Sequence, residues 1–394
     1  MEGEIVLVTG GSGFLGQHIV RELQECDDNV KEIRILDLKP YQNLLGHVEK
    51  KPVKRFIGDV KHKHTLKGAF EGVTCVFHCA ALVSYDFPAD EEILERNNVL
   101  GTKNVIEQCK ENNVQYLIYT STTEVTLKPY FPKLGFFSVV VNQTEAKITP
   151  PTDHSQLVFQ GYAVSKLKAE QLVLSAHNTE LSNGTKLQTI ALRPTMMYGE
   201  EDRGVLPFIM SVANYYNGTL QQIAGFGGKH QMTYAGNAAF AHICARRSLQ
   251  KNPRDIGGLP VFITDDTPIT DITKFVTRVA NEPNTKFYKM AKWCIPTIIT
   301  VFLALLLDFL VRISFPYLIS KRLPVSPKAA FSYVASILHY SRLRASLYLN
   351  YSPKYSTESS MEQSNKYYTS EKVRKLVEMN SRKKIFDINV KKAV

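Results

Sequence analysis

The segment Thr9-Gly10-Gly11-Ser12-Gly13-Phe14-Leu15-Gly16 constrains this chain more than any other. It follows the apolar run Ile5-Val6-Leu7-Val8, which reads as a strand. It opens the stretch Phe14 to Gln24, which reads as a helix with Ile19, Val20 and Leu23 on one face. Gly10, Gly13 and Gly16 give a G-x-x-G-x-x-G spacing between the two elements. A tight strand-to-helix turn needs glycine, a pyrophosphate must approach the backbone closely, and a helix N-terminus supplies N–H donors to it. The spacing alone is a weak signal, and a glycine-rich turn without a ligand is the competing reading. The strand before it and the helix after it make a dinucleotide site the better one, with Gly10, Ser12, Gly13, Phe14, Leu15 and Gly16 as phosphate-binding candidates.

The pattern then repeats. Ile33 to Leu36, Val53 to Ile57, Val73 to Phe77, Tyr116 to Tyr119 and Leu187 to Leu192 read as further strands. Helical stretches such as Gly101 to Glu111 and Tyr162 to His177 lie between the later ones. Short apolar strands separated by helices predict an α/β fold with a doubly wound parallel sheet covered on both faces. In such a fold Asp37 ends the second strand, where a carboxylate holds the adenosine ribose hydroxyls and repels a 2′-phosphate. NAD is therefore expected over NADP, with Lys39 placed to soften the preference. Asp59 and Val60 follow the third strand and are candidates for the adenine end; a helix N-cap before Lys61 is a serious rival for Asp59. Ala80 and Ala81 follow the fourth strand, where small side chains let a cofactor lie against the sheet.

Tyr162-Ala163-Val164-Ser165-Lys166 places a phenol and an ammonium four residues apart, on one helix face. A cation beside a phenol favours the phenolate, so this pair is expected to exchange a proton with a carbinol or carbonyl oxygen near neutral pH. A bare Y-x-x-x-K is usually a surface pair; its place after the fifth strand favours catalysis. Tyr119-Thr120-Ser121-Thr122-Thr123-Glu124-Val125 puts hydroxyls at the carboxyl end of that strand, where substrates bind in such sheets. Ser121, Thr122 and Thr123 compete for the task of orienting a substrate oxygen, against the plainer reading of local backbone bonds.

The stretch from Gly204 to Asn284 is less regular and is expected to complete a smaller, C-terminal substrate region. Composition shifts at Met290. Ile295 to Leu307 carries no charge, and the apolar segment continues to Ile319 with Asp308 and Arg312 inside it. Its length suits a bilayer, while each charge at mid-span costs roughly 2.5–3.5 kcal/mol. Four residues apart, the two can pair on a helix. A spanning helix, a helix in the membrane interface and a buried soluble helix all fit. Ser352 to Ser360 reads as a loop before a basic helical tail, Ser370 to Arg382. The working division is 1–200 for the dinucleotide domain, 201–288 for the substrate region, 289–320 for the apolar segment and 321–394 for the basic region.

The net charge of +11 gathers late, at Lys321-Arg322, Arg342, Arg344, Lys372, Arg374-Lys375, Arg382-Lys383-Lys384 and Lys391-Lys392. After an apolar stretch this suits an anionic membrane surface, or a solvated tail, better than nucleic acid, for which no reader motif is present. The six cysteines are scattered and complete no metal-ligand pattern, so reduced thiols and no metal are expected. The opening residues run straight into the first strand without the marks of a signal peptide, so the sequons at Asn142, Asn183 and Asn217 read as chance.

Together these motifs resemble the extended short-chain dehydrogenase/reductases, and within them the 3β-hydroxysteroid dehydrogenase/isomerase group. The resemblance runs from about Ile5 to about Pro353. It includes Asn98-Val99-Leu100-Gly101-Thr102, Leu192-Arg193-Pro194-Thr195-Met196-Met197-Tyr198-Gly199, Tyr234-Ala235-Gly236-Asn237-Ala238 with Ala241-His242, and Phe262-Ile263-Thr264-Asp265-Asp266-Thr267-Pro268. It implies NAD-dependent oxidation of a 3β-hydroxysteroid or sterol, with Tyr162 as acid/base, Lys166 modulating it and binding the nicotinamide ribose, Thr122 as hydroxyl partner and Pro194 behind the nicotinamide. Asn98 would support the lysine through water or hold the sheet. A membrane-associating segment near Ile295 to Ile319, contact with membrane lipid and a cytosol-facing place at the endoplasmic reticulum membrane are also implied, with a homodimer left open. Departures are a threonine where the family usually has a second serine, and a long, apolar Thr122-to-Tyr162 span with Phe136, Phe137, Val139, Val140 and Val141, expected to line a sterol-sized pocket or touch the membrane. These leave the substrate and any Δ5–Δ4 isomerisation open. A dehydrogenase of another hydrophobic alcohol, a sterol 4-carboxylate decarboxylating dehydrogenase and a non-catalytic NAD(P)-sensing protein are the alternatives.

Overall fold

The computed structural model describes residues 3–130, 137–222, 228–282, 286–315 and 322–382. Of the residues singled out above, Phe136, Lys321, Lys383-Lys384, Lys391-Lys392 and the stretch Pro316 to Ile319 lie outside these.

Strands β1 (Glu4–Thr9), β2 (Val30–Asp37), β3 (Val53–Ile57), β4 (Cys75–His78) and β5 (Tyr116–Thr120) form one sheet with Lys186–Pro194 and Pro260–Ile263. Their spatial order is Pro260–Ile263, Lys186–Pro194, β5, β4, β1, β2, β3. Every neighbouring pair in that row is parallel, and Thr179–Glu180 pairs antiparallel with Lys186–Pro194. Alternation along the strands feeds two cores. Val6, Val8, Ile33, Ile35 and Ile190 pack with Ile19, Val20 and Leu23 of helix α1 (Phe14–Cys26) and with Ala238 and Ala241 of the helix Ala235–Lys251. Leu7, Leu36, Val76 and Leu117 meet Val105 and Cys109 of Gly101–Glu111 and Ala169 and Val173 of Gln160–Ser175 on the other face. The order reverses at β1, between β2 and β4, and there the fold opens a crevice at the carboxyl ends of the strands.

The six expected strands are all present. The region 204–284 is more regular than its sequence suggests. It holds the helices Val205–Tyr215, Ala235–Lys251 and Ile272–Val279, and the seventh sheet strand, Pro260–Ile263. A strand of four residues is too short to show a period. The apolar residues Val139 to Val141 form a strand, Val139–Gln143, beside Ile337–Tyr340, which in turn pairs with Lys229–His230. Val140 is buried with Leu127, Phe262, Leu338 and Tyr340, so this part of the long span builds a second small sheet instead of a pocket wall.

Ser352 to Ser360 is not wholly a loop. The Ser356 hydroxyl accepts the Ser359 N–H at 3.3 Å and starts the helix Thr357–Tyr368, followed by Glu371–Arg382. Tyr367, Tyr368, Val373 and Val377 are buried against Leu206, Met210, Phe275 and Val276. The apolar segment forms the helix Thr297–Ser314, with mean hydropathy 2.1. Asp308 and Arg312 pair on it at 3.1 Å, as their spacing predicts.

Candidate active site

The glycine loop joins β1 to α1 against β4. Gly10 has φ +73, and a Cβ there would stand 2.7 Å from the Ala80 backbone nitrogen. A Cβ at Gly16 would overlap the Gly10 carbonyl oxygen. These contacts bring the start of α1 close against the loop. Gly13 caps α1 without any side chain, and the first turn holds no acidic residue. The N–H groups of Phe14 and Leu15 therefore face a position suited to an anion. Asp37 accepts the Ser12 N–H at 3.0 Å, and Ser12 Oγ donates to the Lys39 carbonyl at 3.1 Å, so the Asp37 carboxylate sits directly on the glycine loop. Asp59 accepts the Lys61 N–H at 3.0 Å and pairs with its ammonium at 3.3 Å. That is the capping role foreseen for it, at a turn rather than an α-helix. Val60 meets Gly101, where a Cβ would lie 2.7 Å from its Cγ2. Ala80 lies against Gly10, and Ala81 is exposed beside it. Pro194 is buried at its strand end, in register with Ile263. The cradle, the uncapped helix and the carboxylate fit a dinucleotide.

Tyr162 and Lys166 project from the helix Gln160–Ser175, with Tyr162 8 % and Lys166 3 % exposed. The Lys166 ammonium donates to the Thr120 carbonyl at 2.8 Å and stands 4.3 Å from the centre of the Tyr119 ring. Burial lowers it to about 7. The phenol departs from expectation. Burial, and then the Glu124 carboxylate, push Tyr162 up. The lysine is turned to the end of β5, so its charge is spent on a carbonyl.

Thr122 Oγ1 accepts the Glu124 N–H at 3.2 Å and caps a short turn, Thr123–Thr126, which leaves its own O–H proton to donate. Ser121 Oγ is buried and has no hydrogen-bond partner among the described residues. Asn98 takes the structural role. It accepts the Leu82 N–H at 2.7 Å, donates back to the Leu82 carbonyl at 3.0 Å and reaches Ser165 Oγ at 2.9 Å, tying the loop after β4 to the helix Gln160–Ser175.

Two groups escaped the sequence reading. Tyr85 donates to Glu124 Oε1 at 2.8 Å, and its ring stands edge-on to Tyr162 at 5.4 Å. Glu124 Oε2 is buried and without a partner among the described residues. Burial raises this carboxyl to about 7. Glu124 lay inside the motif quoted for its hydroxyls, so an acid two residues past Thr122 was the available signal. Tyr85 gave none. Tyr85, Tyr162, Phe87, Leu157 and Phe159 line one cavity of about 560 Å³, which also reaches Asp308 and Arg312 of the apolar helix.

The motif around Asp265 is a lock rather than a site. Its carboxylate accepts the Tyr234 N–H at 2.8 Å, Asn237 Nδ2 at 3.0 Å and the Thr267 N–H at 2.9 Å. Asn237 in turn exchanges two hydrogen bonds with the backbone of Tyr355, at 2.8 and 3.0 Å.

A nucleotide cradle at the switch point of a parallel sheet, with a buried Tyr/Lys pair on the following helix face, defines an NAD-dependent oxidoreductase of the extended short-chain type. Known folds agree. The chain is similar to a UDP-glucose 4-epimerase from Bifidobacterium longum in complex with NAD+ and UDP, with TM-score 0.65 and 17 % identity over 94 % of this chain and 99 % of that one. It is also similar to MoeE5 in complex with UDP-glucuronic acid and NAD, with TM-score 0.63 and 18 % identity over 93 % and 98 %. Residues 7–296 match the model of the 3-beta hydroxysteroid dehydrogenase/isomerase family. The mouse 3 beta-hydroxysteroid dehydrogenase type 7 is 34 % identical over 69 % of this chain and 71 % of its own length. A 3 beta-hydroxysteroid dehydrogenase/Delta 5-->4-isomerase from Vaccinia virus (strain Ankara) is 32 % identical over 67 % and 72 %. The chain belongs to the 3-beta hydroxysteroid dehydrogenase/isomerase family and is an oxidoreductase of CH–OH groups.

Proposed function

We propose that this protein oxidises the 3β-hydroxyl of a steroid or sterol to the 3-ketone with NAD. The observation that carries the reading is the cavity of about 560 Å³ with Tyr162 in its wall and Tyr85, Phe87, Leu157 and Phe159 around it. Its volume suits a steroid-sized ligand, and its wall mixes those side chains with polar groups, among them Asp86, Asp153, Asp308 and Arg312. When bound, NAD supplies the hydride acceptor. Residues 1–200 hold it, with Gly10, Ser12, Gly13, Phe14, Leu15 and Gly16 at the pyrophosphate, Asp37 at the ribose, Asp59, Val60, Ala80 and Ala81 along the adenine side and Pro194 behind the nicotinamide. Residues 201–288 and 322–382 complete the substrate part. Tyr162, as its phenolate, takes the carbinol proton while the substrate oxygen accepts from the Thr122 hydroxyl; because burial raises the phenol, this step gains as pH rises. Lys166 holds the end of β5 and reaches the nicotinamide ribose. Ser121 is the second hydroxyl candidate.

Isomerisation of a Δ5-3-ketone needs a group that removes a proton from C4 and returns one to C6. A carboxyl near 7, with one oxygen held by Tyr85, is matched to that exchange near neutral pH. We assign it to Glu124. The family resemblance and the exposed apolar helix support a place at the endoplasmic reticulum membrane, with the catalytic part facing the cytosol.

The test is nicotinamide absorbance with purified full-length protein, pregnenolone, a 4-carboxysterol and a non-steroid alcohol, each with NAD and NADP. Reduction of NAD by pregnenolone, with a product absorbing as a conjugated enone, is expected. Turnover of the 4-carboxysterol or the non-steroid alcohol alone overturns the 3β-hydroxysteroid assignment. Wild-type isomerisation by Glu124→Gln removes Glu124 from that step.

A further inference from the structure

The helix Thr297–Ser314 cannot be a membrane span in this fold. Chain on both sides of it builds one globular body. Upstream, Val6 and Ile19 share a core with Ala345, Leu349 and Tyr351 from downstream. The downstream strand Ile337–Tyr340 lies between the upstream strands Lys229–His230 and Val139–Gln143. Asn237 and Tyr355 are joined by two hydrogen bonds. Both ends of the helix must therefore lie on one side of any bilayer. Residues 315–321, before the chain rejoins the body at Arg322, are too few to return across a hydrocarbon core of about 30 Å.

Nor is it a core helix. Ala304, Asp308 and Val311 form the face turned to the body. Asp308 is bonded to Ser326 and paired with Arg312, Val311 packs on Phe87 and Leu323, and the Arg312 guanidinium stands 4.7 Å from the centre of the Phe87 ring. Of the two charges that argued against membrane contact, Asp308 is thus buried against the body, and Arg312, half-exposed, is paired with it. The outward face is apolar along its length, with Ile298 83 %, Phe302 65 %, Phe309 59 % and Ile313 57 % exposed. Trp293, 86 % exposed, stands just before the helix, and Lys289, Lys292 and Lys328 are exposed around it. An apolar face with an interfacial tryptophan and a rim of lysines is complementary to an anionic lipid leaflet.

We infer that this helix lies in the plane of one anionic leaflet as a monotopic anchor, and that the cavity beneath it admits the substrate from that leaflet. The cavity bordered by Tyr162 and Tyr85 also borders Asp308, Arg312, Ser326 and Lys328, at the foot of the anchor. An apolar substrate dissolved in lipid then has a route to Tyr162 that begins in the leaflet. The second half rests on the steroid reading; the first does not.

Trp293 is the one tryptophan in the chain, so the wild-type protein carries its own probe. With vesicles of phosphatidylcholine and phosphatidylserine, its emission shifts to the blue, and lipids brominated near the headgroup quench it more than lipids brominated near the chain end. In sealed vesicles bearing the protein on their outer face, a membrane-impermeant maleimide labels both Lys292→Cys and Lys328→Cys. The double variant Phe302→Glu/Leu306→Glu loses vesicle binding roughly tenfold or more. It keeps its turnover of detergent-dispersed pregnenolone and loses turnover of vesicle-held pregnenolone. An unchanged Trp293 spectrum, or one labelled cysteine site protected while the other reacts, overturns the anchor. Equal turnover of vesicle-held steroid by the double variant and the wild type overturns the entry route. If no steroid is turned over in either form, the proposed substrate falls, while the fluorescence and labelling still decide the anchor.

Discussion

Arg193, on the strand Lys186–Pro194, grips Glu170, on the helix that carries Tyr162 and Lys166, and both side chains are almost wholly buried. Nε donates to one carboxylate oxygen at 2.8 Å and a terminal nitrogen to the other, a bidentate pair that fixes the helix on the sheet.

Breaking one half of that pair strands the other as a buried charge. Glu170→Gln is expected to destabilise the protein by about 3–5 kcal/mol, and the double variant Arg193→Met/Glu170→Leu by much less. Urea unfolding of the three proteins checks this. A double variant as unstable as the single one would show that packing, not charge, holds the helix.

Tyr162→Phe keeps the ring in the cavity wall and deletes the oxygen proposed as acid/base. Turnover is expected to fall by roughly 10²–10⁴ with NAD affinity unchanged. Steady-state kinetics beside an NAD-binding titration separates the two effects. Near wild-type turnover would take Tyr162 out of the proton transfer.

Asp37 sits on the phosphate loop through the Ser12 N–H. A 2′-phosphate beside its carboxylate meets like-charge repulsion. Asp37→Ser is expected to reduce the NAD-over-NADP ratio in kcat/KM by roughly tenfold or more, equivalent to about 1.4 kcal/mol. An unchanged ratio would place the cofactor's ribose elsewhere.

Burial raises Glu124 from 4.5 to about 7. The folded state then binds the proton more tightly than the unfolded chain, so this group favours folding most below pH 4.5 and loses that contribution as pH rises through 7. Wild-type protein should lose on the order of 2–3 kcal/mol between pH 4.5 and 8 that Glu124→Gln keeps. Parallel urea midpoints across that range would mean that the carboxyl is not held protonated by burial.

The nucleotide half was legible because its signals are local. A turn that needs glycine at 10 and 16, and a phenol and an ammonium on one helix face, announce themselves within a few residues. Glu124 was hidden because its chemistry comes from burial in the folded chain, with one oxygen bonded by Tyr85, an upstream loop residue with no pattern of its own. Pro260–Ile263 was hidden because an edge strand of four residues carries too little periodicity, and pairing with Lys186–Pro194 decides it. The apolar run Val139–Val141 invited a pocket reading, but its partner strand lies about two hundred residues downstream, in Ile337–Tyr340.

By itself, the sequence determined the parallel sheet, the dinucleotide cradle, the Tyr/Lys pair and the presence of a long apolar helix, since each follows from spacing and the geometry of one or two elements. Only the tertiary structure decided that Lys166 faces a carbonyl, that Asp308 is buried with Arg312 paired at its edge, and that chain from both sides of the apolar helix closes a single core. Those outcomes depend on contacts between residues far apart in the chain, and hydropathy measured along the chain cannot tell a helix that crosses a bilayer from one held on a folded body by its polar face.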